Sequence, residues 1–153
     1  MQKIKWVKIG LAVVGSLALV GLVGYFMVFH YPKAEVCFND FCWRVEVAKT
    51  GASQVKGLMF RKNLGEKEGM LFVFKNEGFH SFWLKNTLIP LDIVFLDKNK
   101  KVVNITENAQ PCPSDKCPSY RNQNPAKYVL EIRGGLANKI GLTIDSKILF
   151  SDY

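Results

Sequence analysis

Histidine is nearly missing from this chain of 153 residues: His30 and His80 are the only two. With His30 at the edge of a long apolar run, His80 is the one candidate base in the remainder, and no Ser-His-Asp constellation can be assembled around it. Low-complexity tracts are missing too, and 11 Phe, 5 Tyr and 3 Trp supply apolar mass for a core, which excludes a disordered chain. No strand-like run is followed by a long amphipathic helix, which excludes a doubly wound fold. The aromatics are not interleaved with arginine as a nucleic-acid platform requires, so no nucleic-acid partner is expected.

Charge is missing from Ile9 to Phe29, and these 21 positions, at ~1.5 Å rise per residue, span about the thickness of a bilayer's hydrocarbon core. The run predicts one transmembrane helix. Lys3, Lys5 and Lys8 precede it and Lys33 alone follows closely. The positive-inside rule then assigns residues 1–8 to a cytoplasmic tail, 9–29 to the anchor, 30–34 to a linker and 35–153 to an extracytoplasmic domain. A cleaved signal peptide ending at Ser16-Leu17-Ala18 is the rival reading, although cleavage there would leave a very short apolar region. The net charge is +8; without the three tail lysines, 18 Lys+Arg face 13 Asp+Glu, a spread +5 that suits an anionic envelope surface.

The four cysteines form two pairs of identical spacing, Cys37/Cys42 and Cys112/Cys117. In CFNDFC, Asn39-Asp40 suits a two-residue hairpin turn, with Phe38 and Phe41 as the closing pair and the cysteines next out. That position is non-hydrogen-bonded, with Cα atoms ~4.5 Å apart, within reach of a disulfide. In CPSDKC the prolines pre-bend a loop for a second local bridge. A four-thiolate zinc site is the competitor, but its usual spacing is tighter and its usual compartment reducing. Local disulfides are expected, with no metal and no cofactor; four cysteines still permit three connectivities.

Short apolar or alternating runs recur along the domain: AEVCF, FCWRVEVA, MLFVFK, HSFWL, LDIVFL, KVVNI, KYVLEI and KILF. They read as strands. Asp97-Lys98-Asn99-Lys100 is turn chemistry between two of them, Thr50 caps a short helix from Gly51 to Gly57, and Gly134-Gly135 opens another that ends at Gly141. The expected fold is mostly β, an antiparallel β-sandwich or open barrel with two short helices, preceded by the single N-terminal transmembrane helix.

GLMFRKNL (57–64), GMLFVF (69–74), FWLKNTLIPLDIVFLD (82–97), CPSY (117–120), KYVLEI (127–132) and GGLANKIGL (134–142) occur in an order that resembles the family catalogued as domain of unknown function 192. The resemblance runs from about Thr50 to Phe150. It implies a mostly-β, sandwich-like domain behind an export or anchoring segment and carries no activity with it. On this sequence the family pattern falls on Arg61, Trp83, Asn86, Thr87, Pro90, Leu91, Asp92 and Glu131. Two departures stand out. Leu84 replaces a common methionine, which weakens any methionine-based metal site, and the turn after FLD lacks a common glycine.

Lys85-Asn86-Thr87 lies in a connection between an aromatic pair and an apolar strand. One reading makes it a corner whose side chains satisfy backbone groups. The other makes it a site, in which Lys85, Asn86 and Thr87 offer donors beside the Trp83 ring, with Arg61 and Asp92 as further ligand-binding candidates. Asp92, Glu107 and Glu131 are the carboxylates for a glycan hydrolase, and an ion pair with Arg61 is the plainer explanation for Asp92 or Glu131. Met59, Met70 and His80 are better explained by packing than by copper. The sequence therefore predicts a membrane-anchored binding or scaffolding module rather than an enzyme, whose ligand is an envelope glycan or small polar molecule. An envelope hydrolase using Asp92 or Glu131 and a structural partner of another membrane protein are the alternatives.

Overall fold

The computed structural model describes residues 31–151, Asp115 excepted. The expected tail and membrane segment, residues 1–29, lie outside them, and among the described residues no helix is long and apolar enough to cross a membrane.

CFNDFC folds as its spacing requires. Strands β1 (Lys33–Phe38) and β2 (Phe41–Ala48) pair antiparallel around Asn39-Asp40, with Phe38 opposite Phe41 and Cys37 opposite Cys42. Asn39 takes φ +51, a region asparagine tolerates better than most residues. The two cysteine Cα atoms are 4.1 Å apart and the sulfurs are bonded. Because a non-hydrogen-bonded pair turns its amides outward, Cys37 is available to a second partner, and it exchanges both backbone bonds with Leu149 at 2.8 Å.

The next connection adds one parallel pair to the expected, mostly antiparallel fold. After β2, Thr50 caps α1 (Gly51–Lys56) with a capping box shared with Ser53, and the chain returns as β3 (Glu68–Gly78) parallel to β2. A parallel return needs a crossover of about a dozen residues or more, and the 19 residues from 49 to 67 supply it. Then follow β4 (Ser81–Phe82), β5 (Leu91–Leu96), β6 (Val102–Ala109), β7 (Tyr120–Arg121), β8 (Ala126–Arg133) and α2 (Leu136–Lys139). One sheet has the order β1-β2-β3-β8-β5-β6, with every pair but β2–β3 antiparallel, and β4 pairs with β7 in a small second sheet. The HSFWL run yields only two strand residues, because its partner is β7 and not the main sheet. The KILF run forms isolated bridges, Lys147 to Lys101 beside β6 and Leu149 to Cys37 on β1, so the C-terminal segment touches both edges of an open sheet.

The expected hairpin joins β5 to β6. Lys100 there takes φ +64, so the turn without glycine holds a lysine in the left-handed region, and Asp97 Oδ1 accepts from the Asn99 and Lys101 amides.

Alternation along the central strands sends side chains to two cores rather than one. Leu71, Val94, Leu130 and Ile132 pack with Trp43, α2 and Ile148 on one face. Met70, Phe72, Ile93 and Val129 pack with Leu58 and Leu84 on the other, under α1 and the 79–90 segment. The sheet is buried on both sides without a second full sheet facing it, which is how it departs from a sandwich.

Candidate functional site

On the α1 face a cavity of about 410 Å³ remains, within the ~300–1,000 Å³ typical of ligand sites. Its walls come from α1 and the turn after it (Gln54, Lys56, Met59), from β3 (Phe72, Phe74), from the 79–83 segment and from Thr87. Glu131 on β8 completes the lining.

Glu131 stands on a central strand, opposite Met70 on β3 and Ile93 on β5, and is 4% exposed. No hydrogen bond or ion pair reaches its carboxyl among the described residues. Burial alone pushes its pKa up to about 8, so at neutral pH it is mostly the protonated acid. Arg61, the plainer partner expected for Glu131 or Asp92, instead donates from Nη2 to both carboxylate oxygens of Glu46, at 2.7 and 2.8 Å.

Asp92 is fully buried on the other side of the sheet. In the β5–β8 register it is paired with Ile132, while Ile93 is paired with Glu131, so the two carboxyl groups leave opposite faces. Asp92 Oδ1 accepts from the Asn108 and Gly135 amides at 2.7 and 2.8 Å, and Oδ2 from Ala137 at 2.7 Å. It ties β6 and the start of α2 to β5, and it does not line the cavity.

The Lys85-Asn86-Thr87 step is a corner and also borders the cavity. Thr87 N–H donates to Leu84, Asn86 takes φ +57, and the Phe60 amide donates to Asn86 O at 2.7 Å. Cys112, bridged to Cys117, clamps the corner: its amide donates to Leu84 O and its carbonyl accepts from Asn86. Trp83, 54% exposed, and Thr87, 6% exposed, line the cavity, whereas Lys85 and Asn86 do not. Leu84, where the family commonly has methionine, is buried in the core.

His80 turns out to line the cavity, stacked on Phe74 with centroids 3.5 Å apart. Burial lowers its pKa, and its Nε2–H donates to Ala126 O at 2.9 Å, which leaves Nδ1 bare. Asn122 holds this region by accepting from the His80 amide and donating to Gly78 O and Asn124 O. Sequence reading missed Gln54, Phe72, Phe74 and His80 as wall residues. The signals the sequence did carry were Trp83, Thr87 and an acid inside KYVLEI that shares its face with Val129. All four cysteines are in disulfides, so none offers a thiolate to a metal.

The sequence pattern of DUF192, described as "Uncharacterized ACR", matches residues 34–150. The chain belongs to the DUF192 family. Among solved structures, the DUF192 domain is similar to a Sinorhizobium meliloti protein proposed as a transcription regulator, with TM-score 0.72 and 29% identity over 78% of this chain and 95% of that one. It is also similar to a protein of unknown function from Novosphingobium aromaticivorans, with TM-score 0.70 and 38% identity over 78% and 84%. No curated protein matches.

Proposed function

We propose that the DUF192 domain is a binding module for a small molecule, held outside the cytoplasmic membrane by the 9–29 segment, with the ligand seated in the α1-face cavity. One observation carries the reading: a buried carboxyl without a partner opens on that cavity. A carboxyl with no protein partner, largely withdrawn from water at a cavity wall, is a ready hydrogen-bonding position for a ligand's polar group. Two formed disulfides support the extracytoplasmic placement, since such bonds persist in oxidising compartments. Hydrolysis is disfavoured because its two carboxyl groups must flank one bond, and Asp92 and Glu131 have the sheet between them. The transcription role proposed for the S. meliloti relative finds no support here, where the described helices have six and four residues, too short to read a groove.

The test is a fragment screen by NMR on the full chain in lipid nanodiscs. Binders are expected to shift signals of Phe72, His80 and Trp83 and to lose at least about tenfold in affinity on Trp83→Ala. Binders that shift only surface signals elsewhere, unaffected by Trp83→Ala, would sink the proposal and direct the search to protein partners.

A further inference from the structure

We infer that the cavity takes the ammonium group of a small organic amine, seated between aromatic walls and the Glu131 carboxyl. This rests on the binding-module reading and names its ligand class.

Five aromatic side chains, Phe72, Phe74, Phe79, Phe82 and Trp83, line the same cavity as Glu131. Aromatic faces carry a negative quadrupole that attracts cations, and ring-lined cages are how ammonium ligands are held. An anion placed there meets the same faces unfavourably. A carboxyl group at the wall supplies what the rings lack, an acceptor for the N–H donors, and an ion pair formed out of water is stronger than the same pair at the surface. Glu131 has no competing donor among the described residues, whereas the buried acid across the sheet, Asp92, has three. The mouth is open to an apolar ligand body, with Val55, Phe79 and Trp83 each more than half exposed at its rim.

The titratable groups facing Glu131 leave its own proton as the one that matters. Lys56 on α1 lines the cavity and is already engaged. His80 lines it as a neutral ring, its pKa lowered by burial. On the same face, Glu46 is two strands away and paired with Arg61, Glu68 on β3 accepts from the Gly65 amide, and Lys127 and Arg133 lie along Glu131's own strand. None of them features among the causes of the Glu131 shift. An ammonium ligand therefore binds as the carboxyl ionises and one proton leaves to solvent. Its affinity climbs with pH until the carboxyl is already ionised in the empty cavity.

The experiment is titration of the full chain in nanodiscs with phenethylammonium, neutral 2-phenylethanol and anionic phenylacetate at pH 6, 7 and 8, read by NMR and calorimetry. Phenethylammonium is expected to bind tightest at pH 8. Its Kd should fall by close to tenfold per pH unit from pH 6 to 7, with one proton released per ligand. Glu131→Gln should abolish that slope and the preference for the cation, while the Kd for 2-phenylethanol stays within about twofold and so reports an intact cavity. If 2-phenylethanol binds as well as the amine at every pH, or the slope survives Glu131→Gln, the amine inference falls and the binding module stands. If no probe perturbs cavity signals at millimolar concentration, the amine inference falls. If the fragment screen fails to find the cavity as well, the binding module falls with it.

Discussion

Two buried acids on neighbouring strands carry opposite duties, and the difference lies in which face each side chain leaves. Glu131, unpaired, is held as an acid by burial, with its folded pKa raised to about 8 from an ordinary carboxyl value. The folded state then binds a proton that the unfolded chain has lost. Stability from this group is fully present below the unfolded pKa of about 4.5 and is lost as pH rises toward 8. Denaturant unfolding should show a decline approaching about 1.4 kcal/mol per pH unit within that window, and Glu131→Gln should remove it. A slope that persists in Glu131→Gln would assign the effect elsewhere. Asp92, by contrast, is satisfied by three amides, and Asp92→Asn turns at least one acceptor into a donor facing a donor or leaves an amide unpaired. The expected loss is about 1–3 kcal/mol in urea unfolding, with ligand affinity of the folded protein unchanged. Neither duty could be read from residue type, since both acids sit in apolar β runs. The register parity that separates them comes from pairing across strands.

At the level of elements, close approach of β3 to β8 sets the floor of the cavity. Gly69 lies so near the β8 backbone that an added Cβ would meet the Glu131 carbonyl oxygen at 2.7 Å. Gly69→Ala should therefore push the strands apart and cost about 2–3 kcal/mol, as overpacked sites do, measured by thermal unfolding beside a Gly51→Ala control whose Cβ meets nothing. Equal effects at the two positions would mean that β3 and β8 can separate freely. Local elements were legible because their signals are local. The Asn-Asp turn set the Cys37–Cys42 register and Thr50 capped α1, each through groups within a few residues. The parallel β2–β3 pair was not legible, for whether a capped helix crosses over the sheet or merely interrupts the chain depends on where its apolar side finds partners.

For the molecule as a whole, the C-terminal segment is the piece that joins distant edges. Leu149 exchanges backbone bonds with β1, the Ile148 amide donates to Lys100 O beside β6, and the Ile148 side chain is fully buried in the core. Ending the chain after Ser146 would expose the outer edge of β1 and remove Ile148 from the core. Such edges pair with other copies, so concentration-dependent self-association in analytical ultracentrifugation is the expected outcome. A monomer of unchanged stability would show that the segment is dispensable. The sequence by itself determined the mostly-β class, the hairpins and the family, and favoured local pairing of the cysteines among three connectivities, because turn chemistry, short-range spacing and alternation act between neighbours. Tertiary structure alone decided that Asp92 and Glu131 part company across the sheet, that Arg61 goes to Glu46, and that His80 and a ring of phenylalanines meet around one unpaired carboxyl. Those outcomes depend on strand order and register, which bring together residues far apart in the chain, and no local preference encodes them.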